Sequence, residues 1–258
     1  MRRILLQFGP LTIYSYGVML VAAFLVVTWL MEQDAKRLPP LRVALKPPQI
    51  VDMACLVMLG GVLGARLLFI VKYWDMFRVY PWEMPAIWHG GLIWYGGFFG
   101  GLLTAAVYAR VLGVSFLRMV DQYIPYIPLA HAIGRLGCFL NGCCYGKITH
   151  AWYGVTFPGH PGPRIPTQII EAVLLFALCI ALRRLQRTSV MDYLGRIFAL
   201  DLFSYGLMRF AVEFLRGDQK VVWFGLTVQQ DVSLVLVAAG ALLWMGARRA
   251  TLPPGASS

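Results

Sequence analysis

Apolar stretches of membrane-spanning length recur along this chain, and no other feature restricts its fold as much. Inside a bilayer every backbone N–H and C=O needs an internal partner, so a chain of such stretches folds as a bundle of helices. Composition agrees: 59% of the 258 residues are hydrophobic and 14% are charged, against about 25% charged in a soluble domain. The reading is an all-α integral membrane protein with about seven transmembrane helices, in one polytopic domain over residues 1–258. The spans are expected at roughly 11–31, 50–71, 90–112, 116–133, 166–182, 194–215 and 226–245. The start, Met1-Arg2-Arg3, is like that of a signal peptide, but the apolar run after it is long and shows no small-residue cleavage site before Met31, so it stays as a span. Residues 74–90 are too polar and proline-interrupted to span. Their Trp74, Tyr80, Trp82 and Trp88 suit the headgroup belt. Residues 147–166 form a polar, proline-rich loop.

The net charge of +11 is spread over the loops. No basic run is dense enough for nucleic acid, so the charge reads as orientation and contact with anionic lipid. Lys36, Arg37, Arg42 and Lys46 follow the first span beside Pro39 and Pro40, and Arg183, Arg184, Arg187 and Arg196 follow the fifth. The positive-inside rule makes those loops cytoplasmic, with the N-terminus periplasmic and the C-terminus, bearing Arg248 and Arg249, in the cytoplasm.

The chemistry concentrates in His131-Ala-Ile-Gly-Arg-Leu-Gly-Cys-Phe-Leu-Asn-Gly-Cys-Cys-Tyr-Gly146, at the end of the fourth apolar segment. Glycines there allow close backbone approach. An arginine near the membrane costs about 2.5–3.5 kcal/mol at a helix centre. Arg135 therefore reads as a phosphate ligand or as a cap on helix-end carbonyls. Pro125 and Pro128 just before it predict a kinked or broken helix. In the second span, Gly60, Gly61 and Gly64 predict close helix packing beside an intramembrane Arg66. Tyr95 stands among four glycines at the start of the third span, either as a site residue or as an interface anchor. Cys55 and Cys179 lie in apolar runs and read as packing residues. Cys138, Cys143 and Cys144 lack the paired CxxC spacing of a zinc site, so no metal is expected, and a disulfide would need an oxidising compartment.

In the sixth span, Arg209 and Glu213 are four residues apart on one helical face, with Arg216 about one turn beyond. Three charged groups exceed what a neutral pair in a membrane requires. If Arg135 and Arg209 share a cavity near the outer leaflet, the natural ligand is a phospholipid phosphate. Two guanidiniums would hold it and stabilise charge on a departing phosphate. Residue types alone leave open whether lipid is only bound or also cleaved.

The run Gly134-Arg-Leu-Gly-Cys-Phe-Leu-Asn-Gly142, closed by Gly146, resembles the signature of the bacterial prolipoprotein diacylglyceryl transferases. Ser15-Tyr16-Gly17, Trp88-His-Gly-Gly-Leu-Ile-Trp-Tyr-Gly-Gly97 and Tyr205-Gly-Leu-Met-Arg-Phe-Ala-Val-Glu-Phe-Leu-Arg216 resemble further elements of that family, in the same order over nearly the whole chain. The resemblance implies a multi-pass enzyme of the bacterial inner membrane. It would move the diacylglyceryl group of phosphatidylglycerol onto the lipobox cysteine thiol of a preprolipoprotein signal peptide, releasing glycerol phosphate without metal or cofactor. It implies that Arg135 and Arg209 hold the phosphate, that Tyr16, Asn141 and Gly146 shape the headgroup site, and that Glu213 orients Arg209. Arg216 and Cys138 belong to the same substrate-binding group and Tyr95 to the catalytic one. The family usually has Asn at Cys138, Glu at Cys143 and, in many members, His at Tyr95. A histidine suits proton abstraction near neutral pH, whereas an ordinary tyrosine does not. The base stays open between Tyr95 and the field of the arginines, as does a divergent enzyme with another acceptor. A lipid-binding or lipid-moving protein is the non-enzymatic alternative. Intramembrane proteolysis is disfavoured, since the chain has no Gly-x-Ser-Gly element or paired intramembrane aspartates.

Overall fold

The computed structural model describes residues 4–8, 11–38, 43–188, 192–219, 221–223 and 225–247. Arg2, Arg3, Pro39, Pro40, Arg42, Arg248 and Arg249 lie outside them. The described chain is mostly helical. Its helices are α1 (Ser15–Ala35), α2 (Pro47–Lys72), α3 (Trp74–Val79), α4 (Trp94–Val111), α5 (Phe116–Tyr123), α6 (Ile127–Asn141), α7 (Thr167–Leu185), α8 (Arg196–Glu213) and α9 (Val228–Gly246). Of these, α1, α2 and α9 are long and apolar enough to cross a membrane by length and composition. The helices α7 and α8 run to 19 and 18 residues. Their charges, including Glu171, Arg183 and Arg184 on α7 and Arg196, Asp201, Arg209 and Glu213 on α8, lower their hydropathy. Large apolar side chains such as Leu63, Val71, Leu103, Val111 and Val235 are exposed on helix surfaces. Patches of that kind suit lipid rather than water.

The helices are joined by small antiparallel pairs that an all-helical reading omits: β1 (Ile4–Phe8) with β2 (Leu11–Tyr14), β3 (Val155–Thr156) with β4 (Pro163–Arg164), and β5 (Val221–Trp223) with β6 (Leu226–Thr227). The first span begins at Ser15 because Thr12, Ile13 and Tyr14, all strand formers, pair back instead of coiling. The fourth apolar segment is broken where its prolines stand: α5 gives way to a short 3-10 turn at Ile124–Tyr126 before α6 begins.

Helix α2 packs most extensively on α4, and α8 on α9. Glycines make the first contact. A Cβ on Gly64 or Gly96 would collide with the backbone carbonyl of the other, and one on Gly100 with that of Gly60. The stripe therefore closes the two backbones together, as small residues do in membranes. Arg66 on α2 is buried and donates to the carbonyls of Glu83, Met84 (2.8 Å), Gly90 (2.7 Å) and Gly91 (3.1 Å). It pins the aromatic segment 80–91 to the bundle, which gives this intramembrane charge a structural role.

At the other end Asp34 of α1 binds Arg183 (2.6 Å), Arg187 (2.9 Å) and the Tyr126 hydroxyl (2.7 Å). Two arginines of the basic run after the fifth expected span thus clamp α1 to the end of α7. Asp121 of α5 accepts from the backbone N–H of Gly195 (2.5 Å) and Phe198 (3.0 Å) and so caps α8 from a distance. The main apolar core gathers Met31, Leu45, Ile50, Met119 and Tyr126. A smaller one, Ala132, Ala172 and Leu175 under Tyr205 and Met208, lies where α6, α7 and α8 meet. That junction carries the site.

Candidate functional site

A chain of charged and polar side chains crosses four helices. Thr227, the N-cap of α9, donates from its hydroxyl to Glu213 Oε1 at 3.0 Å while accepting from the Gln230 N–H at 3.3 Å. Glu213 Oε2 lies 2.9 Å from Arg209 Nη2, the expected pair four apart on one face of α8. Arg209 Nη1 lies 3.4 Å from Glu171 Oε2, and the other oxygen of Glu171 is 2.9 Å from Arg135 Nη2. His131 Nε2, one turn before Arg135 on α6, is 3.7 Å from the same oxygen. The Glu171 side chain is 0% exposed, that of Arg209 8% and that of Arg135 14%. Charges this deep persist only when paired, and removing one partner of a buried pair costs about 3–5 kcal/mol.

The structure thus brings Arg135 and Arg209 together, through a carboxylate, Glu171, that falls within the fifth expected span, 166–182. The available signal was an ionisable residue within an apolar run, which marks a buried polar site by default. Arg135 Nε remains buried without a hydrogen-bond partner. An unmet buried donor of this kind costs about 1–3 kcal/mol.

The loop beyond α6 is tied to the same junction. Gly146 forms a β-bridge with Arg216, and Lys147 N–H donates to Leu215 O at 2.9 Å. A Cβ on Gly146 would stand 2.7 Å from the Leu215 carbonyl, so only glycine fits. The Arg216 side chain, 4% exposed, is held by both oxygens of Asp218 at 2.7 Å. Asn141 ends α6 and its amide donates to Cys143 Sγ at 3.7 Å. Tyr16, on the second residue of α1, packs over Gly137 and lies within electrostatic range of Arg135, Cys138, Cys143 and Cys144. In the loop, the Cys144 thiol is held below the ordinary thiol range by the hydrogen bond from Cys138 and, beyond that, by Arg216 and Arg135.

Tyr95 is placed differently. It is the second residue of α4, which packs chiefly on α2, and it is 64% exposed, its ring centroid 5.3 Å from that of Trp94. The described contacts connect it with neither arginine.

The family model for prolipoprotein diacylglyceryl transferases matches residues 3–246. The chain belongs to that family. It is therefore a transferase, and its apolar helices are those of a membrane protein. A phosphatidylglycerol–prolipoprotein diacylglyceryl transferase of Francisella tularensis subsp. novicida (strain U112) is 32% identical over 250 residues, covering 92% of this chain and 90% of that protein. One of Clostridium tetani (strain Massachusetts / E88) is 33% identical over 245 residues, covering 93% and 95%. The Arg135–Glu171–Arg209 junction lies within the residues 3–246 that the family model matches.

Proposed function

We propose that this chain transfers the diacylglyceryl group of phosphatidylglycerol to the lipobox cysteine thiol of a preprolipoprotein, releasing glycerol phosphate. Arg135 and Arg209 bind the phosphodiester. Glu171 and Glu213 hold the two guanidiniums in fixed orientation, so that donors face the phosphate before it arrives. Arg135 Nε supplies one such donor. As the C–O bond to phosphate breaks, negative charge grows on the leaving oxygen, and fixed cations in a water-poor site stabilise that charge more than they stabilise the ground state.

Tyr16, Asn141 and Gly146 shape the headgroup site, with Arg216 at its edge and Cys138 facing Tyr16. Tyr95, at an exposed helix start, contacts lipid or signal peptide on their way in. The chain crosses the bacterial inner membrane about seven times, its N-terminus periplasmic and its C-terminus cytoplasmic. Helix α4, the segment α5–α6, and helices α7 and α8 make up the count with α1, α2 and α9, and the charges of α6, α7 and α8 face one another at the junction, which supports their lying inside the bundle.

The observation that carries this reading is the meeting of Arg135 and Arg209 at one buried carboxylate. Its test is incubation of the purified protein with phosphatidylglycerol and a lipobox peptide. The expected products are one thioether-linked diacylglyceryl peptide per glycerol phosphate. Binding of both substrates without either product would instead select a lipid-binding protein, and product on another thiol but not on the lipobox would select a divergent acceptor.

A further inference from the structure

Cys138, Cys143 and Cys144 hold their three sulfur atoms within 4.8 Å of one another. Their spacing in sequence is not the paired one of a structural zinc site, but the backbone overrides the spacing. Helix α6 ends on Gly142 at φ 77°, Cys143 N–H returns to Cys138 O at 3.2 Å, and Cys144 takes φ 64°. Cys144 is the one non-glycine residue with positive φ among the described residues. Such a conformation costs about 1–3 kcal/mol and survives where its surroundings dictate it. Here Gln168 Nε2 donates to Cys143 O at 2.5 Å and Thr167 Oγ1 to Cys144 O at 2.8 Å, fixing the turn against the start of α7. The Cys144 thiol is thereby turned back toward Cys138 on α6. All three cysteines are free and partly exposed.

Thiolates select soft cations such as zinc over magnesium or calcium. With zinc–sulfur bonds of about 2.3 Å, sulfurs sharing one ion lie about 3.7–4.0 Å apart, and the three sulfurs here are at most 4.8 Å apart before any ion draws them in. Three protein ligands and one open position is the coordination of a catalytic rather than a structural zinc. A dication with three thiolates carries net negative charge, and Arg135 and Arg216 lie within electrostatic reach of the cluster to offset it.

We propose that Cys138, Cys143 and Cys144 bind one soft divalent cation of the zinc class, and that its open position takes the acceptor thiol of the protein substrate. The second half rests on the transferase reading above. On binding the metal the acceptor thiol gives its proton to solvent, as coordinated thiols do. The metal-bound sulfur attacks the glycerol carbon that bears the phosphate ester. A C–S bond forms, the C–O bond breaks, and its electron pair leaves on the oxygen of glycerol phosphate, held by Arg135 and Arg209. The metal stays divalent and nothing is oxidised or reduced. This supplies a thiolate without a side-chain base beside Arg135.

The test uses the full chain in detergent, reduced and stripped with chelator, then titrated with Zn(II) and separately with Cd(II). One equivalent of each should bind, Cd(II) giving a sulfur-to-metal charge-transfer band. Cys143→Ser and Cys144→Ser should each weaken binding by at least about tenfold, whereas Cys55→Ser with Cys179→Ser should not. A wild type with three titratable cluster thiols that binds neither ion would overturn the site. So would undiminished binding by Cys144→Ser whose circular dichroism is native, or a disulfide within the cluster of protein taken directly from membranes. Adding a lipobox peptide to the Cd(II) form should raise the band by about one-third, as three sulfur ligands become four, and a serine-substituted peptide should leave it unchanged. A bound cysteine peptide that leaves the band unmoved, or metal-free protein forming thioether at the full rate, would overturn the role in transfer. Failure of every form to make product would count against the transferase reading alone, since the titration reads the site without turnover.

Discussion

Glu171 lies 2.9 Å from Arg135 and is wholly buried, so α6 and α7 are joined by an ion pair inside the bundle. Because the other oxygen of the same carboxylate faces Arg209, Glu171 sets the separation and orientation of both guanidiniums. Glu171→Gln keeps the volume but removes the charge that holds them. We expect a loss of about 3–5 kcal/mol in stability, seen as a lower melting temperature in detergent, with kcat falling more than KM rises. A variant with native stability and native kcat would show that the bridge is dispensable.

Arg135→Lys keeps the charge and loses the fork of donors, including the buried Nε. Both Arg135→Lys and Arg135→Ala should reduce kcat by about 10²–10³, the effect of removing one preorganised donor from developing charge. Steady-state glycerol phosphate release measures it. Full activity in the lysine variant would mean that a point charge suffices.

Thr227→Val removes the donor to Glu213 and the N-cap acceptor of α9 in one change. Stability should fall by about 1–2 kcal/mol, while Thr227→Ser should recover most of it. Thermal unfolding of the two variants decides, and equal losses in both would set the hydroxyl aside.

Gly64→Val places a branched side chain against the backbone of α4. Overpacking of that kind costs about 1–3 kcal/mol or displaces a helix. Gly17→Ala, where no atom lies within 4 Å of the added carbon, serves as the control and should melt near wild type. Reversal of that order would show that the α2–α4 contact is looser than its glycines imply.

Much of this arrangement was legible in the residues alone. The Gly60/Gly64 stripe, the break at Pro125 and Pro128 and the Arg209–Glu213 pair each follow from a local rule of spacing, and each appears as read. Other relations depend on distant partners. Glu171 is unremarked in its own helix and becomes a hub only because α6 and α8 converge on it. Arg183 and Arg187 serve a charge count in sequence but close on Asp34 in space. The cysteine spacing hid a cluster because its geometry depends on positive φ at Gly142 and Cys144, which no side-chain pattern announces. The N-terminal strand pair moves the start of the first span to Ser15 for a similar reason: pairing between β1 and β2 is invisible to hydropathy.

A shared phosphate makes the two arginines interdependent, and a double-mutant cycle on kcat/KM reads that directly. Wild type, Arg135→Ala, Arg209→Ala and the double variant are assayed for glycerol phosphate release from phosphatidylglycerol with a lipobox peptide. The account predicts that the double variant loses less than the sum of the single losses, by about 0.5–3 kcal/mol of coupling. Strict additivity would contradict it, because two guanidiniums that act independently are not holding one phosphodiester.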